Sequence, residues 1–214
     1  MESSPAVDEL LAGHGRFRGE FAAREHEFLA DLARRDQRPA AVYIGCSDSR
    51  VIPELLTDSM PGQLFVVRNV ANHVPARSDP DRSVGAAIEF AVGQLGVADI
   101  IVCGHDGCGG VMAALADLAG LDPASDLALW LGGLRPAIER ARAASSDPAV
   151  QLPRAVEEHV LDGLATLAED WTVGSSGVRL HGWVYDLGDA SIRVFDAARD
   201  RFVPLSELAV PPPL

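Results

Sequence analysis

Five side chains in two short stretches have the types and spacing for metal chemistry. "GCSDSR" carries Cys46, Asp48 and Arg50, and "GHDGCGG" carries His105 and Cys108, 59 and 62 residues beyond Cys46. A histidine and a cysteine three apart on a glycine-rich turn suit two ligands of one ion, but two ligands do not complete a site. Cys46 is the candidate third. Two thiolates with one imidazole suit zinc, and three protein ligands with one open position mark a catalytic rather than a structural site. Asp48 and Arg50 are close enough to Cys46 to form a charged pair beside the ion. Two arrangements stay open. Asp48, held by a bidentate contact from Arg50, orients a bound water, or Asp48 itself fills the fourth position. Gly104 and Gly107 permit a tight turn. Gly109 and Gly110 present backbone N–H groups at a helix start, where an anion is attracted.

Those residues meet only if the chain carries them to one place. Ala40–Ile44, Leu64–Val67 and Asp99–Cys103 are short runs, apolar almost throughout, as in parallel strands buried on both faces. "VRLHGWVYDL" and "SIRVFDA" read as two further strands joined at Gly188 and Asp189. Segments 83–96, 109–120, 127–144 and 153–170 read as helices, the last opening with Pro153 near its first turn. Alternation of this kind predicts an α/β fold, with a mainly parallel central sheet flanked by helices. About four parallel strands with an antiparallel edge element are expected. If strands one and three are neighbours, with crossovers on opposite faces, a crevice opens between their carboxyl ends. Cys46, His105 and Cys108 would converge there.

Ahead of this core, Leu10, Phe17, Phe21, Phe28 and Leu32 trace one helical face. Gly13, Gly15 and Gly19 predict a break before a helix from about Arg18 to Arg35. Such a stripe packs on its own core or grips a partner subunit. The expected organisation is a single domain, 1–214: a helical arm at 1–38, a zinc-binding α/β core at 39–196 and a tail at 197–214.

Composition narrows the function classes. The 214 residues are 48% apolar and 23% charged, as in an ordinary globular chain. Net charge is −13, which argues against a nucleic-acid partner, and all 18 basic residues are arginine. No membrane span or secretory signal is evident. Three cysteines do not make a disulfide framework, so the reducing cytoplasm is the expected compartment. The glycine-rich turn lacks GxGxxG, and a chain without lysine has no Walker lysine. Cys103 is expected as a small buried side chain, its rival role being a fourth ligand. His14, His26 and His159 are expected on helix surfaces, and His181 in the core or an interface. Arg68 and Asn69 are expected to make structural hydrogen bonds.

"CSDSR" followed some sixty residues later by "GHxxCGG" resembles the β-class carbonic anhydrases. "GQLFVVRNVANHV", "VGAAIEFAVGQLGV" and the late "VRLHGWVYDL" extend the similarity, strongly over residues 37–117 and weakly over 154–196. The resemblance implies one zinc ion on Cys46, His105 and Cys108, and a catalytic dyad of Asp48 and Arg50. It implies reversible hydration of CO2 to bicarbonate and a proton, by attack of zinc-bound hydroxide. Gln37 matches a substrate-contacting position, while Phe65 and Phe90 match positions lining an apolar pocket. Phe90 stands where the family often has Tyr, so the phenol hydroxyl is missing. Gln37 and the Gly109 N–H would hold the substrate oxygens, and His73 and Asp106 are candidate proton relays. The resemblance also implies a homodimer or larger assembly, paired through N-terminal helices. Other readings are a zinc hydrolase of COS or CS2, and a non-catalytic, zinc-stabilised module that binds bicarbonate. Two thiolates offset the charge of zinc, so activity is expected to climb on the alkaline side of neutrality.

Overall fold

A computed structural model describes residues 4–79, 81–170, 173 and 177–208. The chain divides into two compact units, Met1–Arg38 and Pro39–Leu214.

The first unit holds α1 (Pro5–Gly19), α2 (Phe21–Arg24) and α3 (His26–Leu32). Ser4 caps α1 by accepting from the Val7 N–H, and Pro5 supplies the fixed φ of a first helical position. Gly13, Gly15 and Gly19 all lie inside α1, so the expected break comes later, at Glu20 and again at Glu25. Phe17 stacks on Phe21 at 5.2 Å and on His14 at 6.1 Å. No residue of these helices is buried, and Leu10 is 73% exposed.

In the second unit six strands form one sheet: β1 (Ala41–Cys46), β2 (Leu64–Asn69), β3 (Asp99–His105), β4 (Arg179–Tyr185), β5 (Ile192–Asp196) and β6 (Arg201–Pro204). The order is β2-β1-β3-β4-β5-β6. The first four strands are parallel, and β5 and β6 add on antiparallel. The α/β expectation is met, with one correction. The segment after residue 196, expected as a tail, contributes β6. Phe202 there meets Phe195 at 5.5 Å, and Val203 is buried.

β1 is buried along its whole length, as a strand covered on both faces must be. Val42, Ile44 and Cys46 face the larger core, while Ala41 and Tyr43 face a smaller cluster with Ile101 and Cys103. The helices are α4 (Pro53–Leu56), α5 (Ser83–Glu89), α6 (Gly109–Leu115), α7 (Asp126–Gly132), α8 (Arg135–Ala144) and α9 (Pro148–Asp170). The helix expected over 83–96 turns into a π-helical segment at Phe90–Gln94, and the one expected over 127–144 divides at Gly133. Pro153 does not open α9. Asp147 caps Ala149 at 2.9 Å ahead of Pro148, which leaves Pro153 inside the helix. α9 packs along β3 and β4 and pairs with α8.

Candidate metal centre

β1 and β3 are direct neighbours, so their carboxyl ends open side by side where the strand order reverses. Cys46 is the last residue of β1, His105 the last of β3, and Cys108 the N-cap of α6. The ligand atoms of these three lie within 4.8 Å of one another, and the two sulfurs are 4.0 Å apart. No other such group occurs among the described residues. Gly107 turns the chain between the two β3-side ligands at φ +66°, a conformation that favours glycine. Gly104 acts by size instead. A Cβ there would come within 2.9 Å of Val156 and Val160, where α9 presses on β3.

The donor set fits a soft divalent ion. His105 is fully buried, and its Nδ1–H donates to the Asp106 carbonyl at 3.0 Å. That fixes the tautomer and leaves the Nε2 lone pair free, buried and without a partner. A bare lone pair in that setting is costly unless an ion takes it. The sulfurs are within hydrogen-bonding reach of each other. Donation from Cys108 holds Cys46 below the ordinary thiol range, and the pairing with burial pushes Cys108 above it. Backbone N–H groups support both. Asp48 N–H donates to Cys46 Sγ at 3.4 Å, and those of Gly110 and Val111 face Cys108. The surroundings therefore favour the thiolate at Cys46, the form that binds metal, and disfavour it at Cys108.

Asp48 meets Arg50 in a fork: Nε to Oδ1 at 2.9 Å and Nη2 to Oδ2 at 2.6 Å. Those bonds hold the Asp48 carboxyl well below the usual carboxylate range. Asp48 Oδ2 sits 3.9 Å from His105 Nε2, beside the ligands. Asp48 and Arg50 are thus paired in this structure. Arg68 braces the loop from β2, donating to the carbonyls of Cys46 at 2.9 Å and Asp48 at 2.6 Å.

Gly109 opens α6 next to Cys108 and is exposed. Phe65 and Phe90 come together with ring centroids 6.1 Å apart. The register pairs Asn69, not Phe65, with Cys46. Phe65 is four residues back along β2, about 13 Å from that end at 3.3 Å per residue. One chain therefore does not bring it to its own ligands. Gln37 lies exposed in the first unit.

His159 and the two relay candidates need correction, whereas Cys103 is the small buried side chain expected. His159 is not on the surface but only 3% exposed, with Nε2 against the Ala71 carbonyl at 3.1 Å. Asp106 is committed to a two-pronged contact with Arg193, at 3.0 and 3.2 Å. His73 is packed between Trp130 and His159, and burial lowers its pKa. Neither suits an open relay. His181 binds Asp99 at 2.8 Å, at the opposite end of β3. Cys103 faces the other side of the sheet from Cys46, its thiol pushed up by burial to about 12. It is therefore no fourth ligand. Cys103→Ser is expected to leave metal content unchanged and to lower the melting temperature by about 2–4 °C, for a buried polar exchange of about 1 kcal/mol. Metal analysis with a thermal melt checks both.

The sequence reading missed the turn Val70–Asn72, in which Ala71 (φ 63°, ψ 24°) and Asn72 (φ 47°) are left-handed. Ala71 costs about 1–2 kcal/mol there, whereas Asn tolerates that region. Ala71 gives no sign of it in its type. The signals were Asn69 and Asn72, whose short amide side chains favour turns.

A switch-point crevice with a Cys-His-Cys donor set that could hold a metal ion, beside an Asp–Arg fork, is the arrangement the fold and the site present. The carbonic anhydrase family model matches residues 41–192. The chain is 40% identical over 208 residues to a carbonic anhydrase of Pseudomonas aeruginosa, covering 93% of this chain and 92% of that one. It is 37% identical to carbonic anhydrase 1 of Escherichia coli, covering 94% and 93%. Among solved structures, the β-carbonic anhydrase CcaA superposes with TM-score 0.85 at 29% identity, over 93% of this chain and 99% of that one. A tetrameric β-carbonic anhydrase of Sordaria macrospora superposes with TM-score 0.80 at 29% identity, over 91% and 98%. The chain belongs to the carbonic anhydrase family, in its β class.

Proposed function

We propose that this chain interconverts CO2 and bicarbonate, with one zinc ion held by Cys46, His105 and Cys108. The observation that carries the reading is the buried, unpartnered His105 Nε2 within reach of two sulfurs, beside a carboxylate fixed by Arg50. Zinc, when bound, supplies the Lewis acidity that makes water nucleophilic, weakened here by two thiolates so that activity climbs on the alkaline side of neutrality. Asp48 acts as a hydrogen-bond acceptor that orients the nucleophile. Its low pKa leaves it ionised at working pH and too weak a base to take the proton outright. Arg50 keeps it off the ligands. The Gly109 N–H holds a substrate oxygen, and Phe65 with Phe90 forms an apolar wall for CO2.

The working form is at least a dimer. Phe90 is 44% exposed and Leu55 75% exposed, and Phe65 lies too far along β2 to serve its own ligands. A second copy would bring that wall to the site, and the bare aromatic stripe of α1 would find cover. The reducing cytoplasm suits sulfurs 4.0 Å apart that must stay unoxidised. No described helix is long and apolar enough to cross a membrane.

Stopped-flow CO2 hydration on metal-analysed protein tests the reading. The expected result is one zinc per chain and a rate that rises above neutral pH. A rate equal to buffer at both neutral pH and about pH 9 overturns it. A profile already flat below about pH 6.5 contradicts the thiolate argument. Turnover of COS or CS2 without CO2 hydration would assign the site to those substrates instead.

A further inference from the structure

Between the two β3-side ligands the chain has only Asp106 and Gly107. Gly107 is left-handed at φ +66° and gives the turn no stiffness of its own. Asp106 therefore has to be held from outside, and three of its groups are. Its N–H donates to the Tyr185 carbonyl at 2.9 Å, which carries the β3–β4 ladder one step past His105. Its carbonyl accepts the Nδ1–H of the fully buried His105 at 3.0 Å. Its carboxylate takes a fork from Arg193, Nη1 to Oδ2 at 3.0 Å and Nη2 to Oδ1 at 3.2 Å.

Arg193 comes from β5, 87 positions beyond Asp106. The register sets it opposite Val184, next to Tyr185, so the adjacent strands β4 and β5 grip the same residue. The two side chains are only 25% and 26% exposed, which lifts the pair above an ordinary surface ion pair. Glu157, from α9, takes the Nε edge of Arg193 at 3.4 Å, and Arg154 faces Glu157 at 3.8 Å. The guanidinium is thus fixed on one side while it fixes Asp106 on the other. With its N–H and its carboxylate both tied, Asp106 has little freedom to turn its carbonyl away from the imidazole.

We propose that Arg193 is a positioning residue of the metal centre, clamping Asp106 so that its carbonyl keeps the His105 Nδ1–H and Nε2 stays turned toward the two sulfurs. The proposal rests on the reading of His105 as a metal ligand. Arg193 bonds to Asp106 and Glu157 and acts through the turn, at one remove from the ion. A buried imidazole that keeps its acceptor keeps one tautomer, so the same nitrogen always offers its lone pair. Contacts of this kind behind a ligand typically change metal affinity or activity by about 10–100-fold when removed.

The test uses full-length, zinc-loaded protein, isotope-labelled in histidine. Two readouts are followed: exchange of the His105 Nδ1–H with water by NMR, and release of zinc to a chelator. Arg193→Met keeps most of the stem and removes the fork. It is expected to speed both processes about tenfold. Arg193→Lys keeps the charge without the fork and should fall between Arg193→Met and wild type. In an Asp106→Ala background, Arg193→Met should add nothing, because the carboxylate it acts through is gone. A lower melting temperature with proton exchange and zinc release unchanged makes Arg193 a structural residue only and overturns the proposal, with the metal site left intact. Full additivity in the Asp106→Ala background overturns it as well. Wild type that holds no zinc overturns the reading of His105 as a ligand, and this proposal with it. If Arg193→Met does not fold, Arg193→Lys decides, and wild-type exchange and release in that variant overturn the proposal.

Discussion

His105→Ala is expected to purify with less than about a tenth of a metal ion per chain and to hydrate CO2 no faster than buffer, a loss of at least about 10³-fold. The argument starts from the lone pair. His105 Nδ1 is spent on the Asp106 carbonyl, so Nε2 is the only face the ring offers, and it is buried beside the two sulfurs. Without the ring, only Cys46 and Cys108 remain, 4.0 Å apart in the wild type. Two ligands are too few for a tetrahedral ion with an open position. Cys108→Ser changes almost no volume and separates chemistry from packing. It should lose metal comparably, since a hydroxyl does not ionise as a thiol does. Stability follows by linkage, because an ion that binds only the folded state stabilises it. Metal-free wild type and His105→Ala should therefore melt closer together than either does to the loaded wild type. Retention of one ion per chain in His105→Ala would remove the imidazole from the site.

What could be read in advance, and what could not, divides along physical lines. The runs Ala40–Ile44 and Asp99–Cys103 were legible because strands buried on both faces need apolar residues at nearly every position, and Leu64–Val67 read alike although β2 is a half-buried edge strand. Cys46, His105 and Cys108 were legible because soft donors are scarce in this chain and sit at the ends of two expected strands, whose adjacency only the structure supplies. Pro153 misled because a proline is permitted both at a helix start and, at a cost, inside one. Burial of His159 was not legible. On α9 its spacing says which face it shares, and only the approach of the Ala71 carbonyl makes that face a place for imidazole. β6 escaped because an edge strand of four residues, ending in Pro204, carries almost no periodicity. The left-handed Ala71 is the clearest case, since the conformation is imposed from α7 and α9, by residues 60 and 88 positions away.

The dyad gives the second large effect, and the two halves should not behave alike. Asp48→Asn keeps size and removes charge. It is expected to lower kcat/KM by about 10²-fold with metal retained, the usual scale for a misplaced acceptor beside a reacting group. Arg50→Leu should be worse at neutral pH, although Arg50 touches no ligand. Its fork occupies both oxygens of Asp48. Once released, a carboxylate already 3.9 Å from His105 Nε2 has a cation-binding site as its nearest strong partner. Asp48 would then complete a four-ligand, closed arrangement. The double variant Asp48→Asn with Arg50→Leu tests this directly. An amide is a poor ligand, so the double variant should be more active than Arg50→Leu alone, the reverse of additive loss. The pH response separates the cases further. In the wild type, Asp48 is held below the usual carboxylate range by Arg50, so the pair is intact above the ordinary carboxylate pKa and breaks only as pH falls through the depressed value. Acid loss of wild-type activity between about pH 5 and 7 is therefore not protonation of Asp48. If Arg50→Leu and the double variant show equal activity across that range, Arg50 does not act by restraining Asp48.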